Sequence, residues 1–161
     1  MFPRIHSFLF CFIVLILAAS VANADIVNGN VGNKGSKKYS LNSDIVGWAN
    51  IVLTYNSGTA DLDLRVSFVD SNGQEQDLAV SATDAKQLEK LVVSVSDATQ
   101  FYLYVDSYSG SSQFRLAVTI EGSTSNNVRS GQIMLREVPM DAASIRHLEK
   151  VRTVERKFKS L

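Results

Sequence analysis

The stretch that decides the fold reads FYLYVDSYSGSSQFRLAVTI, residues 101–120. Apolar and polar residues alternate through its first part, a Ser-Gly turn comes next around Gly110, and the alternation then resumes as far as Ile120. A period of two places successive side chains on opposite faces of a strand. The stretch therefore predicts two half-buried antiparallel strands separated by a turn.

The same alternation recurs along the chain before this stretch. The predicted inward-facing sets are Ala49, Ile51, Leu53 and Tyr55, then Leu62, Leu64, Val66 and Phe68, then Leu91, Val93 and Val95. Turn-forming residues, such as Asp-Ser-Asn-Gly at 70–73, separate these sets. Five or more short strands with this spacing predict an all-β protein, an antiparallel β-sandwich that is jelly-roll-like.

Two shorter features complete the expectation for the sandwich. Residues 25–43 are rich in Asn, Gly and Ser, which predicts an exposed lead-in with one edge strand at 38–41. Trp48 is the only tryptophan and begins an apolar strand, so it is predicted to anchor the core rather than to serve as a binding platform.

Residues 1–24 have the three parts of a secretory signal peptide. Arg4 and His6 give a cationic start, an apolar run comes after them, and Ala-Asn-Ala at 22–24 matches a cleavage site. The run is shorter than the roughly 20 residues that a spanning helix needs. We therefore expect cleavage and a secreted or periplasmic protein.

The composition excludes several classes of function. The 16 basic and 16 acidic residues cancel, which gives no net charge suited to nucleic acid. Cys11 is the only cysteine and lies in the predicted signal, and His147 is the only histidine outside it. Disulfides, thiolate catalysis and Cys/His zinc sites are thus excluded from the exported chain, and no enzyme is expected.

The C-terminal part differs in both pattern and charge. Residues 25–122, the predicted sandwich domain, carry 7 basic and 12 acidic residues, whereas residues 123–161 carry 8 and 4. The second range begins with a Ser/Asn-rich linker, and residues 132–138 are open to interpretation as a short strand. Asp141 is a suitable N-cap for an amphipathic α-helix through about Lys159, because apolar residues recur every three or four positions.

Two segments resemble the bacterial pre-peptidase C-terminal domain, a small β-sandwich attached to secreted proteases and collagenases. ADLDLRV at 60–66 is similar to the family's D-x-DL-x-V strand, and ATQFYLYVDSYSGSSQFRLAV at 98–118 is similar to its final strand, Ser/Gly turn and strand. The resemblance covers about 60 residues. It implies a non-catalytic module related to collagen-binding domains, some of which use calcium for stability.

The candidate ligand-binding residues are Tyr102, Tyr104, Tyr108, Asp61 and Asp63. Tyr102 and Tyr104 alternate with core residues, so their rings are predicted on the outer face, where they stack on sugars or contact a polypeptide. The alternative is packing within the sheet or cover by the C-terminal helix. Asp61 and Asp63 share one outer face.

Two interpretations of Asp61 and Asp63 stay open. They join a Ca²⁺ site with Asp106 or loop carbonyls, or they are solvated acids that keep the strand from pairing at an edge. The second is favoured, because no dense Asp/Asn loop is present. No metal ligand is assigned, and calcium remains the only cofactor considered.

The predicted helix offers a second surface. Its candidate partner-binding residues are Arg146, Lys150, Arg152, Arg156 and Lys157. Three alternatives are open for its apolar stripe: it docks on the sandwich, it enters a groove of a partner protein, or it lies on an anionic membrane surface. The membrane alternative is the least favoured.

The sequence supports two functional hypotheses. The first is a secreted or periplasmic binding or accessory module for an extracellular protein or polysaccharide. The second is a structural or interaction protein whose C-terminal helix docks on an envelope partner or a membrane surface.

Overall fold

Nine β-strands account for most of the described chain. The computed structural model describes residues 23–56, 58–83, 88–96, 99–124, 132–142, 144–146 and 148–149. In chain order the strands are β1 (Asn23–Val31), β2 (Ser36–Ser43), β3 (Ile45–Tyr55), β4 (Ala60–Val69), β5 (Glu75–Ser81), β6 (Leu88–Val95), β7 (Phe101–Gly110), β8 (Ser112–Thr124) and β9 (Ile133–Val138). Within these ranges no helix has the length and apolar character needed to cross a membrane.

The strands form two antiparallel sheets. Sheet A has the order β1-β8-β3-β6, and sheet B has the order β5-β4-β7-β2-β9. Every connection among the first eight strands passes from one sheet to the other, except that between β4 and β5. This arrangement is a jelly roll with β9 added beside β2, and it confirms the predicted all-β sandwich.

The core lies between the two sheets and contains the side chains predicted to face inward. Ile51, Leu53, Leu64, Leu103 and Leu116 are fully buried there. Because the two sheets present complementary apolar faces, the period-two pattern identifies the core of the central strands directly.

The predicted lead-in at 25–43 is instead two strands of the sandwich. β1 pairs with β8, and β2 lies between β7 and β9 rather than at an edge. Gly29 explains part of this: a Cβ at its position would stand 2.4 Å from the ring of Phe114, so a glycine is needed where that ring crosses β1. Glycine therefore marks close packing here and not a loop.

The sandwich also extends past the boundary predicted at residue 122. β9 pairs with β2 over six residue pairs, from Lys38–Val138 to Ser43–Ile133. Leu135 of β9 is buried, and its N–H donates to Oδ2 of Asp25 at 2.7 Å, which ties β9 to the neighbouring edge of sheet A. Residues 132–138 thus belong to the sandwich.

Helical residues come after β9, at 142, 144–146 and 148–149. Oδ1 of Asp141 accepts from the N–H of Ser144 at 2.7 Å, and the Asp141 carbonyl accepts from the N–H of Ile145 at 3.0 Å. Asp141 therefore caps this turn as an N-cap residue does. The rest of the predicted helix, 150–161, lies outside the described residues, as do residues 84–87.

Candidate functional site

A row of cationic and aromatic side chains crosses the outer face of sheet B. Arg65 of β4 is the cross-strand partner of Tyr104 in β7, and Tyr104 is the partner of Lys38 in β2. The Arg65 guanidinium lies 3.8 Å from the centroid of the Tyr104 ring. The Lys38 ammonium lies 5.4 Å from that centroid and 3.8 Å from the centroid of Tyr102. Register alone thus assembles a set of cation–π contacts.

Three carboxylates from two strands, β5 and β7, neutralise the two cations. Arg65 pairs with Asp77 at 3.0 Å and with Asp106 at 3.3 Å. Lys38 pairs with Glu75 at 2.9 Å. Because Arg65 is only 1% exposed, these partners must offset the free-energy cost of burying its charge.

Glu75 accepts hydrogen bonds from the hydroxyl groups of this cluster. The hydroxyls of Ser67 and Tyr104 both donate to Oε1 of Glu75, while Lys38 donates to Oε2. Burial raises the pKa of Glu75, but these three hydrogen bonds outweigh it, and the net pKa lies below the ordinary value. Glu75 is therefore a carboxylate at neutral pH.

The C-terminal helical residues cover this network. Lys38 Nζ donates to the Ser144 hydroxyl at 2.7 Å, and the Tyr104 hydroxyl lies 3.3 Å from the same oxygen. Ser144 and Leu148 are both buried, although they come after the last strand of the sandwich. The described part of the tail thus contacts sheet B through Ser144, whereas Ile145 of the predicted apolar stripe is exposed.

The Ser144–Lys38 contact has the residue types of a serine nucleophile and a lysine base, but not the protonation that such a pair needs. Burial lowers the pKa of Lys38, yet hydrogen bonds to Glu75 and Tyr104 raise it further, so the net pKa is above 10.5. A lysine base must lose its proton near neutral pH. Lys38 is instead a cation at neutral pH, and its ammonium group donates a hydrogen bond to Ser144 of the tail.

Alkaline pH is expected to weaken the fold through buried phenols. Burial raises the pKa of Tyr104 to about 12, assisted by Glu75, and burial raises that of Tyr39 to about 12 as well. Because both folded-state values exceed the ordinary 10.0, the neutral phenols stabilise the fold fully below pH 10, and this contribution is lost as the pH rises to 12. Lys38, with its raised pKa, acts in the same direction.

Phenolate absorbance and urea unfolding at several pH values within this window test the expectation. The doubly substituted variant Tyr39→Phe/Tyr104→Phe should lose less free energy of unfolding between pH 10 and pH 12 than the natural chain. Equal pH slopes in the two proteins would contradict it.

The predicted ligand-binding residues differ in their exposure to solvent. Tyr104 is 0% exposed, Tyr102 is half-buried beneath Lys38, and only Tyr108 is exposed. Asp61 and Asp63 are 8% and 4% exposed, so the expectation of solvated acids is wrong. The alternation predicts correctly that these side chains lie on the outer face of the sheet. A side chain on that face is nevertheless buried wherever another segment covers it.

Two of the predicted calcium ligands, Asp63 and Asp106, are cross-strand partners in β4 and β7. Asp106 accepts from Arg65 and from the Ser36 hydroxyl. Across the described ranges no group of three or more His, Cys, Asp or Glu side chains is placed to hold a metal ion. Asp106 is thus engaged in the ionic network.

Trp48 is 59% exposed, and its prediction as a core anchor is wrong. The inward positions of β3 are Ala49, Ile51 and Leu53, so Trp48 falls on the opposite face by alternation. Its neighbours across the sheet are Glu121 of β8 and Ser94 of β6.

Of the predicted partner-binding residues, the structure describes Arg146, whose side chain is exposed. Ile145, next to it, is also exposed. Lys150, Arg152, Arg156 and Lys157 lie outside the described residues.

A wide groove lies at one end of sheet A and was not predicted. It encloses about 1070 Å³. Its polar lining residues are Asn28, Asn30, Thr54, Asn56, Gln113 and Arg115. They come from β1, β3 and β8 and from the residue after β3, and the register sets Asn28, Arg115 and Thr54 side by side.

Most of these polar groups are available to a ligand. In the described part of the chain, the side chains of Asn28, Asn30, Gln113 and Arg115 make no hydrogen bond or ion pair, whereas Asn56 Oδ1 accepts from the N–H of Gly58. Primary amides offer two donors and one acceptor each, and a guanidinium offers five donors. The signal that could have revealed this site is the alternation of Asn28 and Asn30 with Val27, Gly29 and Val31.

A second cavity, of about 250 Å³, opens between the sheets near β5 and β6. Its apolar lining residues are Phe68, Leu78, Val95 and Phe101. It has room for one or two apolar side chains, and none of its described lining residues is charged.

Fold and surface together define a jelly-roll β-sandwich with an amide-lined groove on one sheet and a buried ionic network on the other. No known family model matches the chain, and no curated protein is significantly similar to it. Among solved structures, the chain is similar to the Yersinia pseudotuberculosis-derived mitogen, with a TM-score of 0.44 and 13% identity over 71% of this chain and 96% of that one. A likeness at this level carries no argument about function.

Proposed function

We propose that this protein is a secreted or periplasmic, non-catalytic binding or accessory module for an extracellular protein or polysaccharide. The observation that carries the proposal is the groove of sheet A, where the side chains of Asn28, Asn30, Gln113 and Arg115 have no partner among the described residues. A concave surface with several convergent polar groups is the usual form of a binding site.

Three sequence features support the same proposal. The signal peptide predicted at 1–24 directs export, and the resemblance of 60–66 and 98–118 to the pre-peptidase C-terminal domain implies an accessory module. Those segments correspond to β4 and to β7 and β8, which lie in different sheets. The ligand is assigned to the groove rather than to buried Tyr104, Asp61 and Asp63. Tyr108, near the end of β7, is an exposed further candidate.

A second candidate function is a structural or interaction protein that docks through its C-terminal helix. The observation that favours it is the exposure of Ile145 and Arg146 on the described helical residues. Because Ser144 already contacts Lys38 and Tyr104 of sheet B, a partner would contact the opposite side of these helical residues.

Co-sedimentation with insoluble collagen and with cell-wall polysaccharide separates the two candidates. We would compare the natural chain, the variant Asn28→Ala/Asn30→Ala, and a chain ending at Met140. Asn72→Ala, in the exposed β4–β5 turn, is the matched control. The proposal expects the groove variant to lose sedimentation while the shortened chain and the control retain it. Loss only in the shortened chain would favour the helix.

A further inference from the structure

The outer face of sheet A carries a strip of side chains that continues from the groove. The strip consists of the cross-strand pairs Thr54–Arg115, Val52–Ala117, Asn50–Thr119 and Trp48–Glu121. All are outward-facing by alternation, because their neighbours along β3 and β8 fill the core.

The middle of the strip is flat and uncharged. Val52, Ala117, Asn50 and Thr119 have short side chains, and each is half-buried. Trp48 at the far end stands six residues from Thr54, which corresponds to roughly 20 Å along a strand. A ligand that touches both ends must therefore be an extended polymer and not a single small molecule.

The two ends differ in chemistry. Trp48 offers a large exposed aromatic face, which packs against the apolar faces of sugar rings while its N–H stays available to a hydroxyl. At the other end Arg115 has no ion pair among the described residues, and no Asp or Glu lines the groove. Within a domain of net negative charge, this is a local site for an anion.

We propose that the outer face of sheet A binds an extended acidic polysaccharide. The carboxylate of one sugar residue pairs with Arg115, and its hydroxyls bond to the amides of Asn28 and Gln113. A residue farther along the polymer stacks on Trp48. Glu121, the cross-strand partner of Trp48, accepts hydrogen bonds from sugar hydroxyls. Its negative charge disfavours binding of a second carboxylate at that end. This inference rests on the proposed binding function and adds the class of ligand.

Two observations favour a polysaccharide over a polypeptide. An extended peptide gains affinity mainly by pairing with an open strand edge, but this strip lies on the face of β3 and β8, both of which are paired on each side. The amides in the groove each present donors and an acceptor, which match hydroxyl groups that both donate and accept.

Binding to polygalacturonate, and to the same polymer with its carboxylates reduced to alcohols, tests the proposal by calorimetry on the natural chain. Arg115→Gln should weaken binding of the acidic polymer by about tenfold or more and leave the neutral polymer unaffected. Trp48→Ala should weaken both polymers by a similar factor. Short oligomers of the acidic polymer should bind more weakly than long ones, since only long ones reach both ends.

Arg136→Gln and Leu78→Ala are the matched controls, because Arg136 and Leu78 are exposed residues of sheet B. Both controls should bind normally, and unchanged melting temperatures of all variants exclude unfolding as a cause. Equal affinity for the two polymers, or no effect of Arg115→Gln or of Trp48→Ala, would overturn the inference. Groove-dependent sedimentation with collagen or a neutral polysaccharide alone would overturn it while the proposed function stands. Binding to no polymer at all would remove both.

Discussion

Arg65→Met is expected to lower the free energy of unfolding by about 3–5 kcal/mol. Arg65 is 1% exposed, stacks on Tyr104, and pairs with Asp77 and Asp106. Methionine keeps much of the side chain's volume but removes the charge. The substitution therefore leaves Asp106 buried without its cation, which is the costly part of breaking a buried ion pair.

Urea unfolding of three variants tests this expectation. Arg136→Met removes an exposed arginine from β9 of the same sheet and should change the free energy of unfolding by less than about 0.5 kcal/mol. Arg65→Met/Asp106→Asn should recover part of the loss, because the uncompensated carboxylate is gone. A loss of less than about 1 kcal/mol for Arg65→Met would show that the network contributes little to stability.

The strands could be predicted because their pattern is local. Ile51, Leu53, Leu103 and Leu116 alternate with polar neighbours, and all four are buried in the core. Alternation also assigned the correct face to Tyr104, whose chain neighbours Leu103 and Val105 are core residues. What it could not give is exposure, because exposure depends on which other segments lie over each face.

The error at Trp48 shows how a compositional argument can outweigh a better local one. A lone tryptophan is often buried, and this favoured the core. The alternation of Ala49, Ile51 and Leu53 already placed Trp48 outward, and the structure agrees with the alternation. Where the two conflict in a strand with a clear period, the pattern is the stronger argument, since a shift of one residue would expose the entire inward set.

The polar network and the groove depend on contacts between distant parts of the chain. Glu75 and Lys38 lie 37 residues apart, and Lys38 and Ser144 lie 106 apart. Arg115 and Asn28 become neighbours only because β1 pairs with β8. Strand pairing of this kind has no local signature, so the residues of the groove were individually visible in the sequence but their convergence was not.

Removal of β9 is expected to cause the second large loss of free energy of unfolding. A chain ending at residue 122 lacks β9, so β2 becomes an edge strand and the side chain of Leu135 leaves the core. Burial of one leucine contributes about 1.5–3 kcal/mol. The backbone bonds of six residue pairs and the bond from Leu135 to Asp25 are lost as well. We expect the loss to approach the 5–15 kcal/mol that typically stabilises a domain.

A chain ending at Met140 keeps β9 and loses only the helical cover. Leu148 and the Ser144 bonds to Lys38 and Tyr104 disappear, which should cost about 2–4 kcal/mol. This chain should unfold cooperatively in urea at a lower midpoint, with faster amide exchange in β2 and β7. The chain ending at residue 122 should show no cooperative transition. A cooperative transition at the natural midpoint in that shorter chain would mean that β9 contributes little, and it would restore residue 122 as the end of the folded unit.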